Sequence, residues 1–166
     1  METLQKTSTC HGQAAIQHPL VSVVMPAYNA EKYISEAIRS VQFQTYTNWI
    51  LLVIDDCSTD HTVDVVQAFA NTDDRIRLFR NTRNLGAAKT RNRGLELSEG
   101  EWVALLDSDD VWHSDKLAKQ LVAVLNSGSE IIYCSYSLIN DDGQKISDYI
   151  VPAQTSYDDM LKESVF

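Results

Sequence analysis

Two groups of carboxylates in this chain have the spacing to handle a polyvalent anion through a cation. Asp107-Ser108-Asp109-Asp110 places three carboxylates in four residues, directly after the apolar run Trp102–Leu106. Mg²⁺ and Mn²⁺ favour carboxylate, water and phosphate oxygens, and Mg²⁺ usually takes only one or two carboxylates. A diphosphate would complete such a shell, and the cation would offset the charge that develops as the diphosphate departs. The same residues could equally be turn and helix-capping carboxylates ahead of Trp112, so the tetrapeptide alone does not decide. Asp55-Asp56 closes a second apolar run, Trp49–Ile54. An ionised carboxylate only accepts hydrogen bonds, which suits a base N–H or a ribose hydroxyl. A local Asp-Ser-Thr turn capping the next helix uses the same residues, and for this pair by itself the turn is the stronger reading. Asn84-Leu85-Gly86 leads into Ala87-Ala88-Lys89-Thr90-Arg91-Asn92. Small residues there permit close approach of the backbone to a ligand. Lys89 or Arg91 could face phosphates, and a solvated basic helix face explains both cations as well.

These residues need a scaffold, and the pattern of apolar residues supplies one. Val21–Met25, stopped by Pro26, predicts a buried strand, as do Trp49–Ile54 and Trp102–Leu106. Arg75–Phe79 alternates and predicts a strand with one wet face. Ile34, Ala37, Ile38 and Val41 follow helical spacing, with Asn29 as the expected N-cap. Ser58-Thr59-Asp60 caps a second helix, Leu85-Gly86 opens a third, and Ser114 caps a fourth bearing Leu117, Leu121, Val124 and Leu125. Glu130–Tyr136 predicts a further strand, Asp142-Gly143 a hairpin turn, and Tyr157–Phe166 a short helix. Strands alternating with helices predict an α/β fold with a mostly parallel sheet. In such sheets ligands bind beyond the carboxyl ends of the strands. Three strands end in candidate residues: Pro26 to Asn29, Asp55-Asp56, and Asp107 to Asp110. Like charges gathered in one crevice raise one another's pKa unless a cation offsets them.

Composition narrows the classes. The 166 residues suit one α/β domain or part of a larger one. A formal charge of -9 argues against binding nucleic acid through phosphate neutralisation. It leaves open a nucleotide held through a metal. Cys10, Cys57 and Cys134 match neither a disulfide framework nor a zinc pattern and read as reduced thiols. His11, His18, His61 and His113 share no spacing, so no nucleophile–histidine arrangement is read. No apolar run is long enough to span a bilayer, and residues 1–19 read as a flexible lead-in without a signal peptide. The expected setting is cytoplasmic, free or peripherally held at the inner face of the membrane.

Read in order, five segments resemble glycosyltransferase family 2, whose members have the GT-A fold. They are Val21-Ser22-Val23-Val24-Met25-Pro26-Ala27-Tyr28-Asn29, Ser40-Val41-Gln42-Phe43-Gln44-Thr45, and Val53-Ile54-Asp55-Asp56-Cys57-Ser58-Thr59-Asp60. Asn84-Leu85-Gly86 with Ala88, Arg91, Asn92 and Gly94 follows, and Gly100 through Asp110 completes the set. The match covers Leu20 to Ile139. It implies a GT-A, Rossmann-like sheet flanked by helices, here an incomplete domain. It implies that Pro26, Ala27 and Tyr28 line the base, helped by Glu31, and that Asp56 with Asp55 binds the nucleoside, commonly uridine. It implies Asp107 and Ser108 near the ribose, Asp109 on Mn²⁺ or Mg²⁺, and Lys89 near the nucleotide. Cys57 departs from the family's usual Gly and asks for a less permissive backbone there.

The resemblance further implies an inverting transfer from a nucleotide-diphosphate sugar, UDP-linked, to a glycan or lipid-linked acceptor in polysaccharide synthesis. Transfer would be hexosyl or N-acetylhexosaminyl. The family's general base lies well past the DxD motif, and Asp141, Asp142, Asp158 and Asp159 do not match it. The base is therefore expected beyond Phe166. Residues 20–140 are expected to form the nucleotide-sugar-binding domain, and 141–166 the start of a truncated acceptor-side region. A donor-binding fragment without turnover is the second expectation. A receiver-like phosphoacceptor domain is the third, disfavoured because Pro26-Ala27-Tyr28 stands where it needs an acidic pair.

Overall fold

The computed structural model describes residues 18–140 and 142–152. Cys10, His11, Asp141, Asp158, Asp159 and the helix expected at Tyr157–Phe166 lie outside them. The chain divides into two compact units, Met1–Ala118 and Lys119–Phe166, earlier than the boundary drawn at residue 140.

The first unit is a four-stranded parallel sheet. Its strands are β1 (Val21–Ala27), β2 (Trp49–Asp55), β3 (Ile76–Arg80) and β4 (Trp102–Leu105), in the order β3-β2-β1-β4. Helices α1 (Ile34–Gln42), α2 (Thr62–Ala70) and α3 (Ala87–Glu96) connect them, and α4 (Lys116–Ser127) follows. Every residue of β1 and β2 is buried. Their continuous apolar runs are what a parallel strand covered on both faces requires. Val24, Ile50, Leu52 and Ile54 form one core cluster, joined by Leu20, Phe79 and Leu97. Helix α3 packs on β1 and β2, while α2 packs on β2 and β3. Gly94 is why α3 comes so close. A Cβ there would stand 2.2 Å from Val24 Cγ1 and 3.3 Å from Ile54 Cγ1. β4 is the sheet's edge, and Val103 and Leu105 are exposed, so the buried strand expected at Trp102–Leu106 is half wet.

Winding direction places the site. The chain runs β1 to β2 to β3 toward one edge, then returns to lay β4 on the other side of β1. Right-handed crossovers send the connections before and after this reversal to opposite faces. A crevice therefore opens between the carboxyl ends of β1 and β4, the topological switch point.

Local expectations held unevenly. Asn29 does not cap α1. Its backbone is left-handed at φ 49°, its Oδ1 accepts the Thr59 N–H at 2.9 Å, and a turn over residues 31–33 separates it from the helix. The N-cap of α2 is His61, without a side-chain cap; Asp60, one residue earlier, accepts the Thr62 N–H at 3.0 Å on Oδ1. The strand expected over Glu130–Tyr136 is absent. In the second unit β5 begins only at Tyr136 (Tyr136–Ile139) and pairs antiparallel with β6 (Lys145–Tyr149). Residues 130–135 are apolar enough for a strand but have no pairing partner among the described residues. The Asp142-Gly143 turn falls as expected, with Gly143 at φ 75°.

The start of β3 is pinned electrostatically. Arg75 Nη2 lies 2.8 Å from Asp73 Oδ2, and its guanidinium stacks 3.8 Å from the centre of the Trp49 ring. Hydrogen bonding by Arg75, against partial burial and helped by Gln42, lowers the Asp73 carboxyl to about 2. A carboxyl depressed in the folded state stabilises it above its unfolded pKa, and that gain is lost as pH falls through the folded value. Asp73→Asn is expected to cost about 1–2 kcal/mol at pH 7, allowing for solvent screening around Arg75. The difference from wild type should shrink between about pH 4 and 2 in urea titrations. A pH-independent difference would mean that packing, not charge, is what Asp73 contributes.

Candidate functional site

The crevice is a cavity of about 450 Å³ lined by residues from four loops. Pro26, Ala27 and Tyr28 come from the end of β1, Asp56 from the end of β2, and Asp107, Ser108 and Asp109 from the loop after β4. Asn84, Gly86, Ala87, Thr90 and Arg91 come from the start of α3 and the loop before it. Seven of the ten expected site residues thus line one cavity; Glu31, Asp55 and Lys89 do not.

The paired carboxylates of β2 have separate jobs. Asp55 is fully buried and turned into the backbone. Both its oxygens accept the Ser58 N–H at 3.3 Å, and Oδ2 also meets Arg80 Nε at 3.2 Å. It closes the turn in which Cys57 sits at φ 68°. Cys57 therefore adopts the left-handed backbone that glycine enters freely, at a cost of about 1–2 kcal/mol for a residue with a Cβ. The turn reading of the sequence fits Asp55, and the site reading fits Asp56.

Asp56 is buried yet borders the cavity. Its Oδ1 accepts Asn81 Nδ2 at 2.6 Å and the Leu85 N–H at 2.8 Å, and its Oδ2 accepts the Gly86 N–H at 2.8 Å. Burial works to raise its pKa. Hydrogen bonds from Asn81, Leu85, Gly86 and Thr90 outweigh burial and hold the carboxyl below the usual range. It therefore stays ionised, an acceptor only, in a largely dry position.

Glu31 braces two loops. Its Oε2 accepts the His61 N–H at 2.9 Å, and its own N–H donates to Asp60 Oδ2 at 3.1 Å. Asn29 joins the brace, donating its N–H to Ser58 Oγ at 3.0 Å. The β1–α1 and β2–α2 loops are thus tied together beneath Tyr28, which is half exposed. Lys89 is exposed on α3, while Arg91, one helical step further, lines the cavity.

The acidic loop after β4 is also differentiated. Asp107 Oδ1 lies 2.6 Å from Arg91 Nη2. Partial burial, then the charges of Asp109 and Asp107, push the Asp110 carboxyl up. Asp109 is exposed, lines the cavity, and makes no hydrogen bond or ion pair with any described residue. Among the described residues no group of three His, Cys, Asp or Glu could hold a metal by itself. The donor set still fits Mg²⁺ or Mn²⁺, which bind through one or two carboxylates and take the rest of their shell from phosphate and water. Asp109, with Asp107 beside it, would hold the ion, and a diphosphate in the cavity would complete the shell.

Sequence reasoning did not find Asn81 or Thr90. Thr90 carried a readable signal, lying one helical turn past Gly86 at the start of α3. Asn81 carried none, because its partners Asp56 and Arg93 are 25 and 12 residues away.

A parallel sheet with a reversed strand order, a cavity at the reversal and carboxylates at its mouth make the arrangement of a GT-A fold, as the similar solved structures also show. The chain belongs to glycosyl transferase family 2, whose model matches residues 22–163. It is 42% identical over 148 residues to TuaG of Bacillus subtilis (strain 168), assigned to teichuronic acid biosynthesis, covering 89% of this chain and 59% of TuaG. It is 42% identical over 143 residues to WfgD of Escherichia coli, a UDP-Glc:α-D-GlcNAc-diphosphoundecaprenol β-1,3-glucosyltransferase, covering 86% of this chain and 55% of WfgD. Among solved structures it is similar to the mannosyltransferase PcManGT from Pyrobaculum calidifontis, in complex with GDP-Man and Mn²⁺. That match has a TM-score of 0.62 and 30% identity, and covers 66% of this chain and 33% of PcManGT. The chain thus spans a little over half the length of the two curated relatives. Among the described residues no helix is long and apolar enough to cross a membrane.

Proposed function

We propose that this chain binds a nucleoside diphosphate sugar together with Mn²⁺ or Mg²⁺, as the donor site of an inverting glycosyltransferase of polysaccharide synthesis. The observation that carries the reading is the convergence of Pro26–Tyr28, Asp56 and Asp107–Asp109 on one cavity at the switch point. Tyr28 and the main chain of Pro26 and Ala27 offer a surface for the base. Asp56, ionised and buried, accepts from a base N–H. Asp107 and Ser108, which line the same cavity, bind the ribose, and Asp109 holds the metal. When bound, the divalent cation offsets the charge that develops on the departing diphosphate. Arg91 adds a second positive group at the same mouth.

In this reading an acceptor hydroxyl attacks the anomeric carbon in line as the nucleoside diphosphate leaves, with a carboxylate taking the hydroxyl proton. No described residue is assigned that proton. UDP is the preferred nucleotide: the acidic Asp56 suits an imide N–H, and the relative WfgD is a UDP-Glc glucosyltransferase. WfgD acts on a diphosphoundecaprenol-linked acceptor, which supports a glycan or lipid-linked acceptor for this chain.

Calorimetry with UDP, GDP and their sugar conjugates, with and without Mn²⁺, tests the reading. Binding of UDP that strengthens at least about tenfold with Mn²⁺ is expected, a gain of about 1.4 kcal/mol. Failure of every nucleoside diphosphate to bind in the presence of Mn²⁺ would sink the proposal. Binding without donor hydrolysis would favour a donor-binding segment that does not turn over by itself.

A further inference from the structure

The carboxylate that borders the nucleotide cavity is itself held by a residue that does not border it. Asn81 follows β3 and is buried. Its Nδ2 donates to Asp56 Oδ1 at 2.6 Å and to Thr90 Oγ1 at 3.0 Å. Its Oδ1 accepts from Arg93 Nη1 at 2.5 Å, and its main-chain N–H donates to the Asp55 carbonyl at 2.8 Å. The backbone bond fixes where the residue sits, and the side-chain bonds fix which way its amide faces.

That orientation has a single stable choice. A guanidinium has only donors, and an ionised carboxylate has only acceptors. Turning the amide over would set its oxygen against the oxygen of Asp56 and its NH₂ against Arg93. Arg93 therefore selects the orientation in which Asn81 donates to Asp56, and a second bond from Arg93 Nη1 to the Arg80 carbonyl at 2.7 Å holds Arg93 in place. The consequence reaches the cavity through Asp56, which accepts the N–H groups of Leu85 and Gly86. Asn84 and Gly86 line the cavity together with Pro26 and Tyr28.

We propose that Asn81, oriented by Arg93, is a positioning residue that sets the rotamer of Asp56 and through it the Asn84–Gly86 wall of the nucleotide cavity. Its relevance to donor binding rests on the function proposed above; its hold on Asp56 and the loop does not. Asn81 does not itself line the cavity. Asp56's burial raises its pKa, and the Asn81 bond is foremost among the interactions that bring it down.

Asn81→Asp keeps the size of the side chain but replaces the donor to Asp56 with a second carboxylate. Two measurements separate positioning from simple destabilisation. In amide-resolved hydrogen exchange without ligand, the Leu85 and Gly86 amides should exchange about tenfold faster in Asn81→Asp, while those of Val23, Leu51 and Val53 keep wild-type rates. In calorimetry with UDP and Mn²⁺, Kd should rise about tenfold at unchanged stoichiometry. Arg93→Ala should weaken binding in the same direction, and Arg93→Lys, which still donates, should recover most of the loss. Wild-type exchange at Leu85 and Gly86 in Asn81→Asp would overturn the proposal. So would a reduced stoichiometry at unchanged Kd, the signature of a partly unfolded sample. If wild type binds no nucleotide, the donor reading falls, and the exchange experiment alone decides what Asn81 does.

Discussion

Asp109→Ala is expected to weaken Mn²⁺-supported UDP binding by more than about a hundredfold, roughly 2.7 kcal/mol, while leaving binding without metal unchanged. The three carboxylates after β4 are close in sequence, but their surroundings give them unequal roles. Asp107 is paired with Arg91 at 2.6 Å. Asp110 lies beside two like charges, and desolvation first, then these charges, push its carboxyl toward the neutral form. Asp109 borders the cavity without a hydrogen-bond or ion-pair partner among the described residues, so its charge is the one a divalent ion would meet directly. A metal–carboxylate contact is worth several kcal/mol where water is partly excluded, which sets the size of the loss. Because Asp109 is exposed, its removal should shift thermal stability by no more than about 0.5 kcal/mol. Asp110→Asn is the matched control and should change Kd less than about threefold, under 1 kcal/mol. Calorimetry at fixed UDP with Mn²⁺ titrated in would read both. An Asp109→Ala variant that keeps the full Mn²⁺ enhancement would move the metal off this residue.

Gly100→Ala is expected to destabilise the fold by about 2–4 kcal/mol. Gly100 precedes β4, where the chain passes over β1. Its N–H donates to Ser22 Oγ at 2.8 Å, and the Glu99 N–H donates to the same oxygen at 3.1 Å. A Cβ at Gly100 would stand 2.6 Å from the Leu20 carbonyl oxygen and 2.6 Å from the Ser22 nitrogen. Ser22 lies in β1 and Leu20 immediately precedes it, and both contacts are with backbone atoms, so neither can swing aside as a side chain might. Relief requires β4 to move from β1, and that separates the two strands whose carboxyl ends form the cavity. Urea unfolding should show the lost stability at unchanged slope, and nucleotide affinity should fall with it. If stability stays within 0.5 kcal/mol of wild type, β4 is seated on β1 more loosely than its register implies.

The parallel sheet was legible because its determinants are local. Val21–Ala27 and Trp49–Asp55 are continuous apolar runs that only a doubly covered strand accommodates. The helices carry their own spacing, and the acidic residues follow strands whose ends such folds use for ligands. Pro26–Tyr28, Asp56 and Asp107–Asp109 could therefore be named from order and residue type. The strand over Glu130–Tyr136 could not be excluded in advance. Its composition favours β structure, and among the described residues no neighbouring strand pairs with it.

What the sequence could not divide was labour among chemically identical neighbours. Asp55 and Asp56 are adjacent carboxylates, and strand alternation sends them to opposite sides of the backbone. One closes the Cys57 turn, and the other faces the cavity. Asp107 and Asp109 differ through Arg91, which reaches Asp107 from a helix 16 residues earlier. Glu31 was drawn toward the nucleotide by position but is taken up by the His61 N–H on the next loop. Asn81 left no trace at all, since its meaning lies in the Asp56 carboxylate on one side and the Arg93 guanidinium on the other. Periodicity and residue type determine which elements form and which strand ends carry charge. Which charge is left free to meet a ligand depends on partners from distant segments, and only the packed sheet brings those within hydrogen-bonding distance.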